Sequence, residues 1–482
     1  MSRLAGWNRS GCEEREVAHK GVRGDDVVEV REAVSVSNRI TNRTRENVMM
    51  SVRNLIGIVL GALLSLLGGN AVFAQGPTAL APAPTVQERL DSLEKKVDAP
   101  SIWKTLGFKA SGFLDVAYTH NFNNPNSNLN QLHIFDTDAN SFSTHMVQIM
   151  LERPADGGGS GMDRLGFRTR LNFGLDARVT RARTNFAPGT SNNELDFQEV
   201  YGEYIAPIGN GLKIQAGKIN TLIGYEVINS FENPNFSRSF MFGLSQAFTT
   251  TGVRLSYTFN PMVAASIGVI NGWDNVTDNN QSKSFEWLLA LTPHEKFGMS
   301  FYGSYGAEQS NSQGTAPAST GADPTAKRTV VGTIMTVKAT DQDTIVLEPY
   351  YGNEGNASTV RRSRNARWNG LAGYLTHDFT DQWSARFRGE IFEDAGGART
   401  CSGTFGFAGG TNTCAGATST VAATPVAQTL WENTFTLQYK PFPSLMARTE
   451  FRYDKSDKNV FLYGSRAVNN QETLSFQVIY LF

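Results

Sequence analysis

From Leu106 to the end of the chain, side chains alternate between apolar and polar with a period of two, over segments of ten residues or more. Phe167, Thr169, Leu171, Phe173, Leu175, Ala177 and Val179 interleave with Arg168, Arg170, Asn172, Gly174, Asp176 and Arg178. Val253, Leu255, Tyr257 and Phe259 interleave with Arg254, Ser256 and Thr258, and Trp383, Ala385, Phe387, Gly389 and Ile391 with Arg386, Arg388 and Glu390. The same holds for Leu445, Ala447, Thr449, Phe451 and Tyr453 against Arg448, Glu450 and Arg452. Successive side chains of a strand point to opposite faces, so each segment describes a sheet with one greasy and one wet face. A soluble β-sandwich shares that alternation, but its strands usually run about five or six residues. A tilted strand crossing a bilayer needs about 9–11. The pattern therefore predicts an all-β chain folded as a transmembrane antiparallel β-barrel.

Strands are expected near 105–121, 142–152, 163–180, 194–206, 211–221, 246–260, 262–273, 283–292, 297–308, 327–339, 342–353, 366–379, 382–394, 428–440, 443–456 and 471–482. That is sixteen, an even number as bacterial barrels require. Tight connections such as Asn260-Pro261, Thr340-Asp341 and Thr380-Asp381 alternate with long ones at 122–141, 222–245, 309–326, 354–365 and 395–427. Short turns on one side of a membrane and long loops on the other are characteristic of such barrels. The link at 153–162 is long for a turn, which leaves fourteen strands as the alternative count.

The residues ahead of this ladder read differently. Residues 49–76, MMSVRNLIGIVLGALLSLLGGNAVFAQG, carry Arg53, an apolar run from Leu55 to Leu67, and small residues around Ala74. This is the pattern of a secretory signal peptide, over 49–74, cleaved before Gln75. Residues 1–48 are expected to be an upstream extension absent from the mature protein, with translation starting at Met49 or Met50. Residues 75–104 form an Ala/Pro linker and a short amphipathic helix, with Val86, Leu90, Leu93 and Val97 on one face. The helix reads as a periplasmic tether under the barrel or as a small trimerisation helix. The barrel itself spans 105–482.

Composition excludes other classes. A net charge of −1 leaves no basic surface for a phosphate backbone, so no nucleic-acid partner is expected. After residue 74 no run of about 18 apolar residues could span a membrane as a helix. His120, His133, His145, His294 and His377 are the only histidines past that point, and neither a nucleophile elbow nor a metal-binding helix pattern is present. The chain therefore reads as no enzyme, without cofactor or metal. His120, His133 and His145, with Asp136 and Asp138 around the first long loop, are the one grouping that resembles a ligand set. Cys401 and Cys414 read as a disulfide closing a short loop, worth about 3 kcal/mol, or else as two free thiols.

The chain ends in TLSFQVIYLF, which sets Phe476, Val478, Tyr480 and Phe482 on one face with a terminal aromatic. Joined to a signal peptide, this looks like the sequence by which the outer-membrane barrel assembly machinery recognises its clients. From about 198 to 290, QEVYGEY, GLKIQAGKINTLIGYEVINSFENPNFSRSF, TTTGVRLSYTF and ASIGVINGWDN follow in order. These resemble the beta-barrel porin-2 family, the OmpL-like porins. The resemblance implies a porin-like barrel in the outer membrane of a Gram-negative bacterium, and it names no solute.

The expected function is a water-filled channel for passive diffusion of small hydrophilic solutes or ions. The alternative is a structural or adhesive surface barrel without conductance. Partners would be outer-membrane lipid, the assembly machinery and the solutes, with a homotrimer as one open assembly state. Alternation places Arg168, Arg170, Arg254, Glu286, Arg386, Arg388, Glu390, Arg448, Glu450 and Arg452 on the pore lining. Opposed charges across a lumen order its water, and a slight anion preference is the most they support. The alternative is that many pair with one another to stiffen the wall. The third long loop holds Phe231, Phe236, Phe240 and Phe242, too aromatic to sit well in water. It is expected to fold into the barrel as a constriction, with Glu226, Glu232 and Arg238 as its charges; the other reading packs it outward on a neighbouring subunit.

Overall fold

The computed structural model describes residues 107–182, 194–310, 323–361, 364–401, 414 and 426–482. The expected signal peptide, upstream extension, linker and helix all lie outside the described residues.

Among the described residues eighteen strands follow in order: β1 (Lys109–Asn121), β2 (Ser141–Arg153), β3 (Leu165–Phe173), β4 (Leu195–Ala206), β5 (Leu212–Asn220), β6 (Thr249–Asn260), β7 (Val263–Trp273), β8 (Ser284–His294) and β9 (Phe297–Ala307), then β10 (Lys327–Lys338), β11 (Asp343–Glu354), β12 (Ala366–Asp378), β13 (Trp383–Asp394), β14 (Gln428–Phe442), β15 (Leu445–Ser456), β16 (Phe461–Tyr463), β17 (Arg466–Val468) and β18 (Asn470–Leu481). Sixteen of them close a single antiparallel barrel, each paired with its neighbour in sequence, while β16 and β17 form a separate hairpin. β18 returns to β1, with Val116 opposite Val478 and Thr119 opposite Ser475. Closure leaves no unpaired edge, which is what a sheet in hydrocarbon requires.

Strand positions agree with the alternation to within a few residues, with one exception. The expected strand at 163–180 stops at Phe173, and Leu175–Thr180 is a short helix, α1. Gly174 makes the break, because its φ of 111° is open to glycine and a Cβ there would meet the carbonyl oxygen of His145 at 2.6 Å. Leu175, Ala177 and Val179 satisfy a period of two, yet six residues are too few to distinguish strand from helix by spacing. The link after β2 is a turn at one end of the barrel, tightened by a 3₁₀ turn at Gly161–Arg164, and strand two stands.

One end of the barrel carries short turns, and the other carries eight loops, L1 to L8, at 122–140, 174–194, 221–248, 274–283, 308–326, 355–365, 395–427 and 457–469. Outward side chains form an apolar belt, with Ile149, Ile267, Phe285, Leu371, Phe435 and Phe476 all exposed. The inner face is not uniformly wet. At the long-loop end an apolar cluster packs L3 against one side of the wall, with Phe240, Met241 and Leu244 of L3 against Tyr302, Val330, Tyr350, Trp368, Tyr374 and Phe392. Alternation fails to announce this on β10, where VVGTIMTV is apolar on both faces.

Candidate functional site

L3 lies inside the barrel and is held there by hydrogen bonds from the wall. Its second half is a six-residue helix, α2 (Phe240–Ser245), capped by Ser239, whose Oγ accepts from the Phe242 amide at 3.0 Å. The first amides of a helical turn have no partner within it. Here Glu390 of β13 supplies one, accepting from Phe240 N at 2.6 Å and Met241 N at 2.7 Å. Glu450 of β15 does the same for the preceding strand of loop, accepting from Phe236 N at 2.6 Å and Ser237 N at 2.9 Å. Two carboxylates on neighbouring parts of the wall thus grip two pairs of consecutive amides.

The arginines hold the carbonyls. Arg448 donates to Ser230 O at 2.9 Å and Asn233 O at 2.7 Å, and Arg452 donates to Arg238 O at 2.6 Å. Arg388, fully buried, pairs with Glu432 on the wall, reaches Glu226 Oε1 of L3 at 2.8 Å and donates to Ser237 O at 2.7 Å. To either side of these strands, Asp115 of β1 accepts from Ser230 Oγ, and Gln246 donates to Glu348 of β11 at 2.9 Å. Charge-assisted bonds are about twice as strong as neutral ones, and their number fixes one loop position. Aromatic contacts complete the seat: Phe231 meets Phe113, and Phe242 meets Phe135 and Phe248.

L1 descends over L3 and is pinned through His133. Its Nδ1 lies 2.7 Å from Asp136 and its Nε2 2.7 Å from Asp454. Burial disfavours the charged imidazole, but Asp136, offset in part by Arg452, and then Asp454 outweigh it and raise the pKa above its ordinary 6.5. Asp136 is held well below the usual carboxylate range: burial opposes ionisation, and the charge and hydrogen bond of His133 override it.

The ten expected lining residues all sit on inward positions, but they divide into two groups. Arg388, Glu390, Arg448, Glu450 and Arg452 are covered by L3 and act as its clamps. Of the expected constriction charges, Glu226 and Arg238 are buried struts rather than free charges, Arg238 donating to Val227 O at 3.2 Å and Ile228 O at 2.7 Å. Glu232 is half-buried and accepts from Asn229 at 2.8 Å. Of the other five, Arg168 and Arg386 are half-buried, and Arg170, Arg254 and Glu286 are buried on the wall. There Arg168 pairs with Glu152 at 2.6 Å, Arg170 with Glu199 at 3.1 Å and Arg254 with Glu286 at 2.9 Å.

Toward the short-turn end the inner wall is built from small side chains, with Ser256, Ala264, Ser266, Ala290, Ser300 and Thr336 all half-exposed. This vestibule carries a group that alternation did not single out. The Lys213 side chain is 42% exposed while its partner Glu203, 3.3 Å away, is 8% exposed. Arg168 is likewise 30% exposed against 4% for Glu152. Arg386 is 16% exposed and lies 3.8 Å from the more open Asp378. Two of these three pairs turn the cation to water and cover the carboxylate.

The histidines do not assemble a ligand set. His133 serves L1, His145 faces Asp176 of α1 at 3.1 Å, and His120 stacks edge-on against Phe122. Among the described residues no group of three or more metal-ligating side chains occurs. Cys401 and Cys414 are joined as a disulfide across the inner part of L7, with Cα atoms 5.3 Å apart. L7 also sends Arg399 inward, donating to Leu244 O at 2.9 Å between Trp273 and Trp368. Phe476, Val478, Tyr480 and Phe482 all face outward.

Among solved structures, the chain is similar to an anion-selective porin from Comamonas acidovorans, at 9% identity over 78% of this chain and 99% of that one, with a TM-score of 0.49. It is similar to OprB of Pseudomonas putida at 10% identity over 79% and 96%, TM-score 0.49, and to OmpT of Vibrio cholerae at 10% over 78% and 97%, TM-score 0.46. No curated protein matches the chain. The match that identifies it is at family level and covers residues 107–482, the whole closed barrel. The chain belongs to the family described as "Putative beta-barrel porin-2, OmpL-like".

Proposed function

We propose that this outer-membrane barrel is a channel for passive diffusion of small hydrophilic solutes and ions, with a slight preference for anions. The observation that carries the reading is the vestibule, where Arg168 and Lys213 face water and the carboxylates beside them are covered. A passing ion meets the exposed charge first, and lining charge of one sign biases a narrow pore toward the other. L3 sets the narrowest level, because it is fastened across the interior instead of lying over the rim. The test is the reversal potential of the reconstituted protein in a salt gradient. The wild type should be weakly anion-selective, and the variant carrying Arg168→Glu and Lys213→Glu should prefer cations. Clear cation preference in the wild type, or no change in the variant, would refute the assignment.

A structural or adhesive surface barrel is the second reading, favoured by the apolar core at the long-loop end. It requires that reconstituted protein carry no current. The mature chain is expected to begin at Gln75, which N-terminal sequencing reads directly; residues 1–48 found on the exported protein would contradict it. A homotrimer would show as conductance rising in steps of three.

A further inference from the structure

On the outside of the barrel at the long-loop end, a cavity of about 940 Å³ opens between L6 and the start of L7. Arg361, Arg364, Arg367, Asn353, Asn365 and Ser358 line it. Register fixes which face it occupies. Asn353 of β11 stands opposite Arg367 of β12, and the next residues, Glu354 and Trp368, are buried in the interior. On the same outer face, Tyr351, Leu371 and Ile391 are 40%, 46% and 42% exposed and belong to the apolar belt. The cavity therefore sits where hydrocarbon gives way to headgroups, at the end that long loops assign to the outside.

Its charge is one-sided. Arg361 and Arg364 are exposed, and their guanidiniums have no hydrogen-bond or ion-pair partner among the described residues. Arg367 has Glu393 at 3.8 Å, but Asn369 already donates to that carboxylate at 2.7 Å. The nearby Glu354 is taken up by Arg328 at 2.9 Å, and Asp323 by Thr325 and Asn356, both at 2.7 Å. Planar guanidiniums match phosphate oxygens in pairs, which a surface of lysines does not. Asn365, exposed beside them, adds an amide able to bond a sugar oxygen, while Ser358 and Asn353 brace the floor by donating to Gly396 O and Ala366 O, both at 3.1 Å.

We propose that this rim cavity holds the phosphate of a glycolipid headgroup in the outer leaflet, with the acyl chains lying on Tyr351, Leu371 and Ile391. A free phosphate offers the same chemistry to the arginines, but it would leave most of the volume empty and make no use of the apolar surface below.

The test is native mass spectrometry of the full chain in neutral detergent, with a diphosphorylated glycolipid, its dephosphorylated form and inorganic phosphate as probes. The wild type should retain the diphosphorylated lipid, and the variant with Arg361→Ser and Arg364→Ser should retain about tenfold less. Arg367→Gln, a single change on an exposed position, should reduce retention by a smaller factor. Both variants should keep the heat-dependent gel migration of a folded barrel. Equal retention by wild type and double variant, or equal retention of the two lipids, would overturn the proposal. Binding of inorganic phosphate that displaces the lipid only as a competitor supports it, whereas phosphate binding without any lipid retention overturns the lipid as ligand.

Discussion

Arg388 is where loop and wall meet, since its guanidinium is shared by Glu432, Glu226 and the Ser237 carbonyl with no contact to water. Replacing one member of a buried ion group leaves the others uncompensated, at a cost of about 3–5 kcal/mol. Arg388→Met is therefore expected to lower the temperature at which the barrel loses its compact gel migration. An unchanged transition would mean that Glu226 and Glu432 find other partners. His133 answers to pH in the opposite sense to its carboxylate partner. Its raised pKa makes the stability it lends to L1 full below about 6.5, and that stability is lost as pH rises through the raised value. Asp136, held low, contributes fully above about 3.8 and fades as pH falls through its lowered value. Hydrogen exchange in 128–139, taken relative to the intrinsic rate at each pH, should thus be slowest between those limits and should rise on the alkaline side. In His133→Gln the alkaline rise should disappear. A rise that persists in this variant would place the titrating group elsewhere.

L3 shows how far elements can be read from residues alone. Its aromatic content led directly to an inward loop, because Phe231, Phe236, Phe240 and Phe242 cannot be left in water, and the structure seats Phe236, Phe240 and Phe242 in the interior. Its charges were only partly legible, since spacing shows that Glu226 and Arg238 lie in the loop and cannot show that Arg388 and the loop's own carbonyls bond them. The barrel strands were legible because membrane crossing enforces long alternation; α1 was not, because one glycine at positive φ switches the chain from strand to helix within a pattern that suits both. The apolar core was hidden for a related reason. A period-two pattern marks which face points inward, but not whether loops from distant sequence will fill the space there. The last strand carries its own prediction. Phe482 exchanges both backbone hydrogen bonds with Gly112, at 2.8 and 3.0 Å, and closes the ring beside β1. If its aromatic end is also read by the assembly machinery, deleting Phe482 should slow the appearance of heat-resistant barrel in cells by far more than it alters the stability of barrel already formed. An unchanged rate would remove that role.

At the scale of the whole molecule, sixteen strands each pair with two neighbours around a ring, and the interior is left to do two different things. Near the long-loop end it is packed like a protein core, while near the short-turn end it is a vestibule of small side chains with cations turned toward water. On the proposed reading the barrel conducts through whatever width L3 leaves, and the clamps on L3 decide that width. The most direct measurement is single-channel conductance in planar bilayers, comparing the wild type with a chain lacking 227–240, the stretch gripped by Glu390, Glu450 and Arg388. Discrete openings in the wild type, and openings severalfold larger in the shortened chain, are the expected result. Openings of equal size in both would show that L3 does not form the constriction, and silence in both would contradict a conducting barrel altogether.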